Sequence, residues 1–233
     1  MKKGMVELKD KTNIFYEELG SGENLFLLHG NGGDSSYFEY NISELSNHFH
    51  LYLIDFRDHG NSGNTRDKLT FDLMADDLFE VFTKLKIKKA HVLGFSDGAN
   101  LALVFTLKYP DCVDKVILNA PNIRFDGTKL LSKAISLFEN IFWNILPFFK
   151  RNKRVAALLL KDLKIDREDL RSIDKKVLII VGSRDLIRVD HVKNIAMNIS
   201  DSRLIVVKKE NHKLARFRPE LFNKMVIEFL KEE

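Results

Sequence analysis

The chain has 233 residues, of which 45% are hydrophobic and 30% charged, with a net charge of +4. That composition excludes disorder, and the interleaving of lysines and arginines with acids gives no basic tract of the kind nucleic acid requires. Cys112 is the only cysteine, which excludes an intramolecular disulfide and a cysteine-based metal cluster. No run of 18 apolar residues occurs, and Lys2 and Lys3 are followed by no apolar segment, so a cytoplasmic protein without stable membrane insertion is expected.

In chain order, residues 5–8 and 13–18 flank the turn-like Asp10-Lys11 and predict an antiparallel hairpin at a sheet edge. Apolar runs at 25–28, 51–54, 90–93, 116–118, 177–181 and 204–207 are too short for helices and apolar on both faces, as buried parallel strands are. Between them the spacing of Phe71, Met74, Leu78, Val81, Phe82 and Leu85, and later of Phe222, Met225, Val226 and Phe229, predicts amphipathic helices. Strand and helix alternate, which predicts an α/β fold with a doubly wound, mostly parallel sheet. Residues 121–172 break the alternation with crowded apolar positions and no strand-like run. They read as a helical cap inserted into a core made of 1–120 and 173–233, all within one structural domain. Its broad apolar arc is expected to cover the carboxyl end of the sheet, where open α/β folds bind ligands.

Gly94-Phe95-Ser96-Asp97-Gly98 joins the strand at 90–93 to a helix from Ala99 to Tyr109. This G-x-S-x-G turn pushes its serine out at the top of a sheet, and its glycines let strand and helix approach. A serine hydroxyl needs a base within hydrogen-bond reach to act as a nucleophile. Of the seven histidines, His212 alone lies in a loop beyond the last strand, completing the order serine, acid, histidine. The acid is expected at Asp185, at the end of its strand, with Asp190 as the competitor; Asn119, at the end of the preceding strand, cannot supply a charge to an imidazolium. The loop His29-Gly30-Asn31-Gly32-Gly33 can aim the Asn31 backbone N–H at a developing oxyanion, together with the N–H of Asp97. Asp55, Asp58 and His59 stand close together, but no second ligand cluster accompanies them, and no metal is expected.

Taken together, H-G-N-G-G, D-F-R-D-H-G-N-S-G, G-F-S-D-G, G-S-R-D and the terminal N-H-K make the chain resemble the α/β-hydrolase superfamily over nearly its whole length. It departs from the usual D-x-R-G-H-G-x-S in carrying Asp58 where glycine is common, which puts the local loop conformation in question. The resemblance implies a cofactor-free hydrolase acting on a small-molecule ester, with Ser96 acylated and then freed by water. The same fold also hosts amidases, carbon–carbon bond hydrolases and silent binding proteins. The Ser96-Asp97 pair is similar to the elbow of biphenyl-hydrolase-like proteins, where the aspartate faces a substrate ammonium group. An acid in the first turn of a helix is equally explained by the macrodipole. Phe142 and Trp143, among the aromatic residues of the insertion, are candidates for an acyl pocket. Lys150, Arg151, Lys153 and Arg154 read as a solvated face, with attraction to anionic membranes as the sharper alternative.

Overall fold

A computed structural model describes residues 1–146 and 148–232. Eight strands form one sheet: β1 Lys2–Glu7, β2 Asn13–Leu19, β3 Glu23–Leu28, β4 Phe49–Ile54, β5 Ala90–Phe95, β6 Val113–Asn119, β7 Lys176–Gly182 and β8 Ser202–Val207. Their spatial order is β1-β2-β4-β3-β5-β6-β7-β8. The hairpin β1–β2 pairs antiparallel in the register Lys2↔Glu18 to Glu7↔Asn13, and β2 joins β4 antiparallel. Every other neighbouring pair is parallel. All carboxyl ends from β3 to β8 therefore share one edge, and loops leaving them converge there.

The helices are α1 Ile42–Leu45, α2 Phe71–Lys84, α3 Asp97–Lys108, α4 Leu130–Ile145, α5 Lys150–Leu158, α6 Arg167–Arg171, α7 Val189–Asn198, α8 Leu214–Phe217 and α9 Pro219–Lys231. Strand alternation decides which layer each residue serves. In β3, Phe26 and Leu28 face a core completed by α2, α3 and α7, whereas Leu25 and Leu27 face one completed by α1, α8 and α9. In β7, Val177, Ile179 and Val181 join the first core, and Leu178 and Ile180 the second. Both faces of the sheet are thus dry, which explains the unbroken apolar runs. Helix α2 begins where the Thr70 hydroxyl accepts from the Leu73 N–H, and its apolar stripe packs Phe82 onto Phe26 with ring centroids 4.2 Å apart.

Three helices, α4 to α6, lie between β6 and β7. They are tied to the carboxyl rim at two places. Before α4, Thr128 bridges to Ile187 and the Lys129 N–H donates to the Leu186 carbonyl, in the loop after β7. At α5, Arg151 donates to the Asp58 carbonyl and Arg154 to the Asp58 carboxylate, in the loop after β4. The anticipated burial of the apolar arc is absent, since no residue of α4 is buried. The arc faces outward because Ser132, Ser136 and Asn140 occupy the half-buried side of the helix.

Candidate active site

Ser96 sits between β5 and α3 with φ 54° and ψ −118°, a backbone conformation that non-glycine residues avoid. It is held there by bonds on both sides: its N–H donates to the Asn119 carbonyl at 2.8 Å, and its carbonyl accepts from the Ala99 and Asn100 N–H groups. The flanking glycines are steric necessities. A Cβ on Gly94 would collide with the Gly98 carbonyl, and one on Gly98 would collide with the Leu28 carbonyl.

His212 reaches Ser96 from the loop after β8. Its Nε2 lies 3.1 Å from Ser96 Oγ, and its Nδ1 lies 2.7 Å from Asp185 Oδ1. Asp185 is 1% exposed and also accepts from the Ile187 N–H at 2.9 Å. The two loops are stitched together: the Arg184 N–H donates to the Glu210 carbonyl at 2.9 Å, and the Lys209 N–H to Ser183 Oγ at 2.8 Å. Phe95 supports the imidazole at 4.8 Å between centroids and is itself stacked on Tyr37 at 4.1 Å. With Nδ1 donating to the carboxylate, Nε2 is left as the acceptor for the serine proton. Asp190, the competing acid, lies instead on α7 and pairs at the surface with Arg188, whose guanidinium holds that carboxyl down at about 2.

The glycine-rich loop is pressed against the elbow. A Cβ on Gly30 would lie 3.0 Å from the Phe95 ring and 3.3 Å from Ser96 Cβ. His29 fixes the loop from behind, contacting the Gly30 carbonyl through Nδ1 at 2.7 Å and accepting the Phe56 N–H at Nε2, 3.2 Å away. Burial holds this imidazole at about 3, with neighbouring His59 adding to the effect, so it is neutral near pH 7. The backbone N–H groups of Asn31 and Asp97 make no hydrogen bond among the described residues, which leaves both available to an incoming oxygen.

Asp97 turns its carboxylate into the protein. It is 7% exposed, with Oδ2 accepting from Asn31 Nδ2 at 2.9 Å and Oδ1 from Asn100 Nδ2 at 3.1 Å. Burial raises its pKa, and the two amides partly counter that. Asn100 and Asn31 are each pinned by a further partner: Asn100 Oδ1 accepts the Asn122 N–H, and Asn31 Nδ2 also donates to the Val155 carbonyl of α5. Sequence reading missed Asn100 and Tyr37; the i, i+3 spacing of Asp97 and Asn100 on a helix was the available signal for the former.

Residues set aside as loop structure have identifiable partners. Asp55 accepts the Ser35 and Asn61 N–H groups at 2.7 and 2.8 Å. Asp58 adopts φ 63°, the left-handed conformation that glycine would take, and its carboxylate grips Arg154 at 2.5 and 2.7 Å. The departure from the glycine pattern thus keeps the loop conformation and adds an anchor for α5. Phe142 and Trp143 contact each other at 4.9 Å between centroids, and Trp143 reaches Phe149 at 5.5 Å. Among the described residues, no ring contact joins them to Phe95 or His212.

The chain matches the alpha/beta hydrolase fold family over residues 23–152. It is 26% identical to the putative carbamate hydrolase RutD of Caulobacter sp. (strain K31), across 94% of this chain and 96% of that protein. It is 28% identical to the uncharacterized hydrolase YraK of Bacillus subtilis (strain 168) across 72% of this chain, spanning 60% of YraK's length. Among solved structures, the esterase EaEST from Exiguobacterium antarcticum superposes with a TM-score of 0.83 at 22% identity, covering 98% of this chain and 99% of that one. The carboxylesterase CesB (YbfK) from Bacillus subtilis superposes at 0.81 with 21% identity, covering 99% and 91%. At such identities the structural likeness speaks for the fold alone, whereas the sequence match covers more than half of the chain. The chain belongs to the α/β-hydrolase fold family.

Proposed function

We propose that this hydrolase cleaves a small carboxylic ester through an acyl-enzyme on Ser96, with His212 as general base and Asp185 as its orienting acid. The observation that carries the reading is the continuous relay from Ser96 Oγ through His212 to Asp185, at 3.1 and 2.7 Å. As Ser96 Oγ attacks the carbonyl carbon, its proton passes to His212 Nε2, and the imidazolium is stabilised by Asp185. The carbonyl oxygen becomes an oxyanion facing the Asn31 and Asp97 N–H groups. Collapse of the tetrahedral intermediate expels the alcohol, protonated by His212. Water, deprotonated by the same imidazole, then attacks the acyl-enzyme and returns Ser96 to its hydroxyl form.

An amino-acid ester or amide read through an ammonium contact to Asp97 is less well supported, because both oxygens of that carboxylate already accept amide N–H groups. We assign the cap role to residues 121–172 on the strength of their anchors on the carboxyl rim, with Trp143, on the half-buried side of α4, as the part available to acyl groups; Phe142 lies on the outward arc. The test is Ser96→Ala assayed on p-nitrophenyl acetate and butyrate, with the melting curve as a folding control. Loss of roughly 10⁴-fold or more in kcat is expected. Unchanged kcat in a folded variant would falsify the assignment. Covalent labelling by a fluorophosphonate, seen by mass spectrometry on the wild type and absent in the variant, reports the nucleophile independently of substrate choice.

A further inference from the structure

Helix α4 is built inside out. Apart from the half-buried Trp143, its large apolar residues fall on one broad arc that faces solvent: Leu130 is 82% exposed, Leu131 72%, Phe138 68% and Ile145 71%. Leu131, Phe138 and Ile145 are spaced seven apart and form a single line along that arc. Phe148 and Phe149 continue the apolar surface beyond the helix at 92% and 48% exposure. An unbroken apolar face of this length on a folded protein marks a surface that meets something apolar.

The charges in the stretch of chain that carries the arc identify the partner. Residues 129–158 contain Lys129, Lys133, Lys150, Arg151, Lys153 and Arg154, against Glu139 as the one acid. Six bases and one acid here exceed the chain's whole net charge of +4, so the remainder of the molecule is slightly acidic on balance. Arg151 and Arg154 turn inward to Asp58 and Gly60. Lys150 and Lys153 are exposed, enter no ion pair among the described residues and line a surface groove in which Lys68 and Lys161 outnumber Asp67. Two copies pairing through this face would bring base against base, with only Glu139 to offset them. An anionic lipid surface complements both features, receiving the apolar arc among its acyl chains and the lysines among its phosphates. The helix has 16 residues, and no helix among the described residues is long and apolar enough to cross a membrane, so the contact is peripheral.

We propose that the outward face of α4, together with Lys150 and Lys153 on the helix that follows it, docks this protein on an anionic lipid surface. The inference is independent of the chemistry at Ser96, and its test reads binding alone. The full-length protein is co-sedimented with vesicles of phosphatidylglycerol mixed into phosphatidylcholine, and with phosphatidylcholine alone. Partition onto the anionic vesicles is expected, weakening as salt is raised. Replacing Leu131, Phe138 and Ile145 together with glutamine should reduce it by more than about 100-fold, since each loses most of its transfer free energy. Lys150→Gln with Lys153→Gln should reduce it roughly 30-fold. The sites are solvent-facing, and an unchanged melting curve and an unchanged far-UV circular dichroism spectrum confirm that the variants are folded. The proposal is overturned if the wild type fails to partition, if it partitions equally onto phosphatidylcholine, or if the triple glutamine variant partitions as well as wild type. It is equally overturned if light scattering finds a dimer that the triple variant dissolves, which would assign the face to a second copy.

Discussion

The elbow and the α4–α5 pair stand on the same rim of the sheet, yet their side chains are held in opposite ways. Around Ser96 the polar groups are held by specific partners: Asp97 accepts from Asn31 and Asn100, and Asn100 in turn accepts the Asn122 N–H. On the outward arc of α4 the apolar groups are exposed to solvent. A buried polar network tolerates few alternatives, because an unpaired member carries the full desolvation penalty. An exposed apolar helix imposes no such discipline on its neighbours. The contrast predicts that substitutions at the elbow act through geometry and are severe, whereas those on the exposed arc of α4 leave fold and chemistry almost untouched.

The severest test falls on Asp185. Asp185→Asn keeps the shape and removes the charge, and an amide opposite His212 Nδ1 favours the wrong tautomer for accepting the Ser96 proton. We expect kcat/KM on p-nitrophenyl acetate to fall by roughly 10⁴-fold, with a melting temperature close to wild type. Asp190→Asn, made in parallel, should be silent, and the reverse pattern would move the acid to α7.

The next test concerns the support behind the oxyanion loop. His29 is held at about 3 by burial, against an ordinary value of 6.5. The depressed folded value means that the unfolded chain takes up a proton that the folded chain refuses. Stability from this group is complete above the ordinary value and is lost as pH falls from there toward about 3, by about 1.4 kcal/mol per pH unit. Urea unfolding at intervals from about pH 7 to about pH 4 measures that slope, and His29→Gln should flatten it. Equal slopes in both proteins would mean that His29 is accessible to protons in the native state.

Asp97 gives a smaller effect with a more specific signature. In Asp97→Asn one amide N–H must face either Asn31 Nδ2 or Asn100 Nδ2, and neither partner can flip without surrendering its bond to Val155 or to the Asn122 N–H. The displacement passes to Asn31, whose backbone N–H we assign to the oxyanion. A loss of roughly 100-fold in kcat with little change in KM is expected, equal for neutral esters and amino-acid esters. A loss confined to amino-acid esters would show that the carboxylate reads an ammonium group after all.

Much of this is legible in the amino-acid sequence. The strands could be read because both sheet faces are dry, so apolar runs such as those around Leu25–Leu28 had no other use. Ser96, Asp185 and His212 could be nominated because the elbow's steric demand for glycine and the chain order of the three residues both leave marks in sequence. The closing of the relay could not, because it depends on contacts between loops far apart in the chain, such as Arg184 with Glu210. Asp58 looked like a flaw in a glycine pattern, yet its positive φ and its grip on Arg154 are a long-range arrangement that no local pattern encodes. On α4, periodicity reported a broad apolar arc correctly, but the expectation that the arc covers the carboxyl end of the sheet failed. A period of 3.6 says which residues share a face, and only packing says where that face points.

The smallest expected effect therefore carries the sharpest information about α4. Phe105, on α3, is fully buried, and truncating it to alanine should cost about 3–5 kcal/mol. Phe138 is the same residue type at 68% exposure, with a ring contact to Phe142 at 6.3 Å. For Phe138→Gln, a change in unfolding free energy within about 0.5 kcal/mol is expected, as for other surface substitutions. Glutamine also has the better helix propensity, which offsets the little packing that is lost. Chemical denaturation of the two variants beside the wild type decides the matter. Should Phe138→Gln destabilise the isolated protein by more than about 1 kcal/mol, the arc would be packed in solution against the body of the molecule, and α4 would belong with the elbow as fixed architecture instead of standing apart from it.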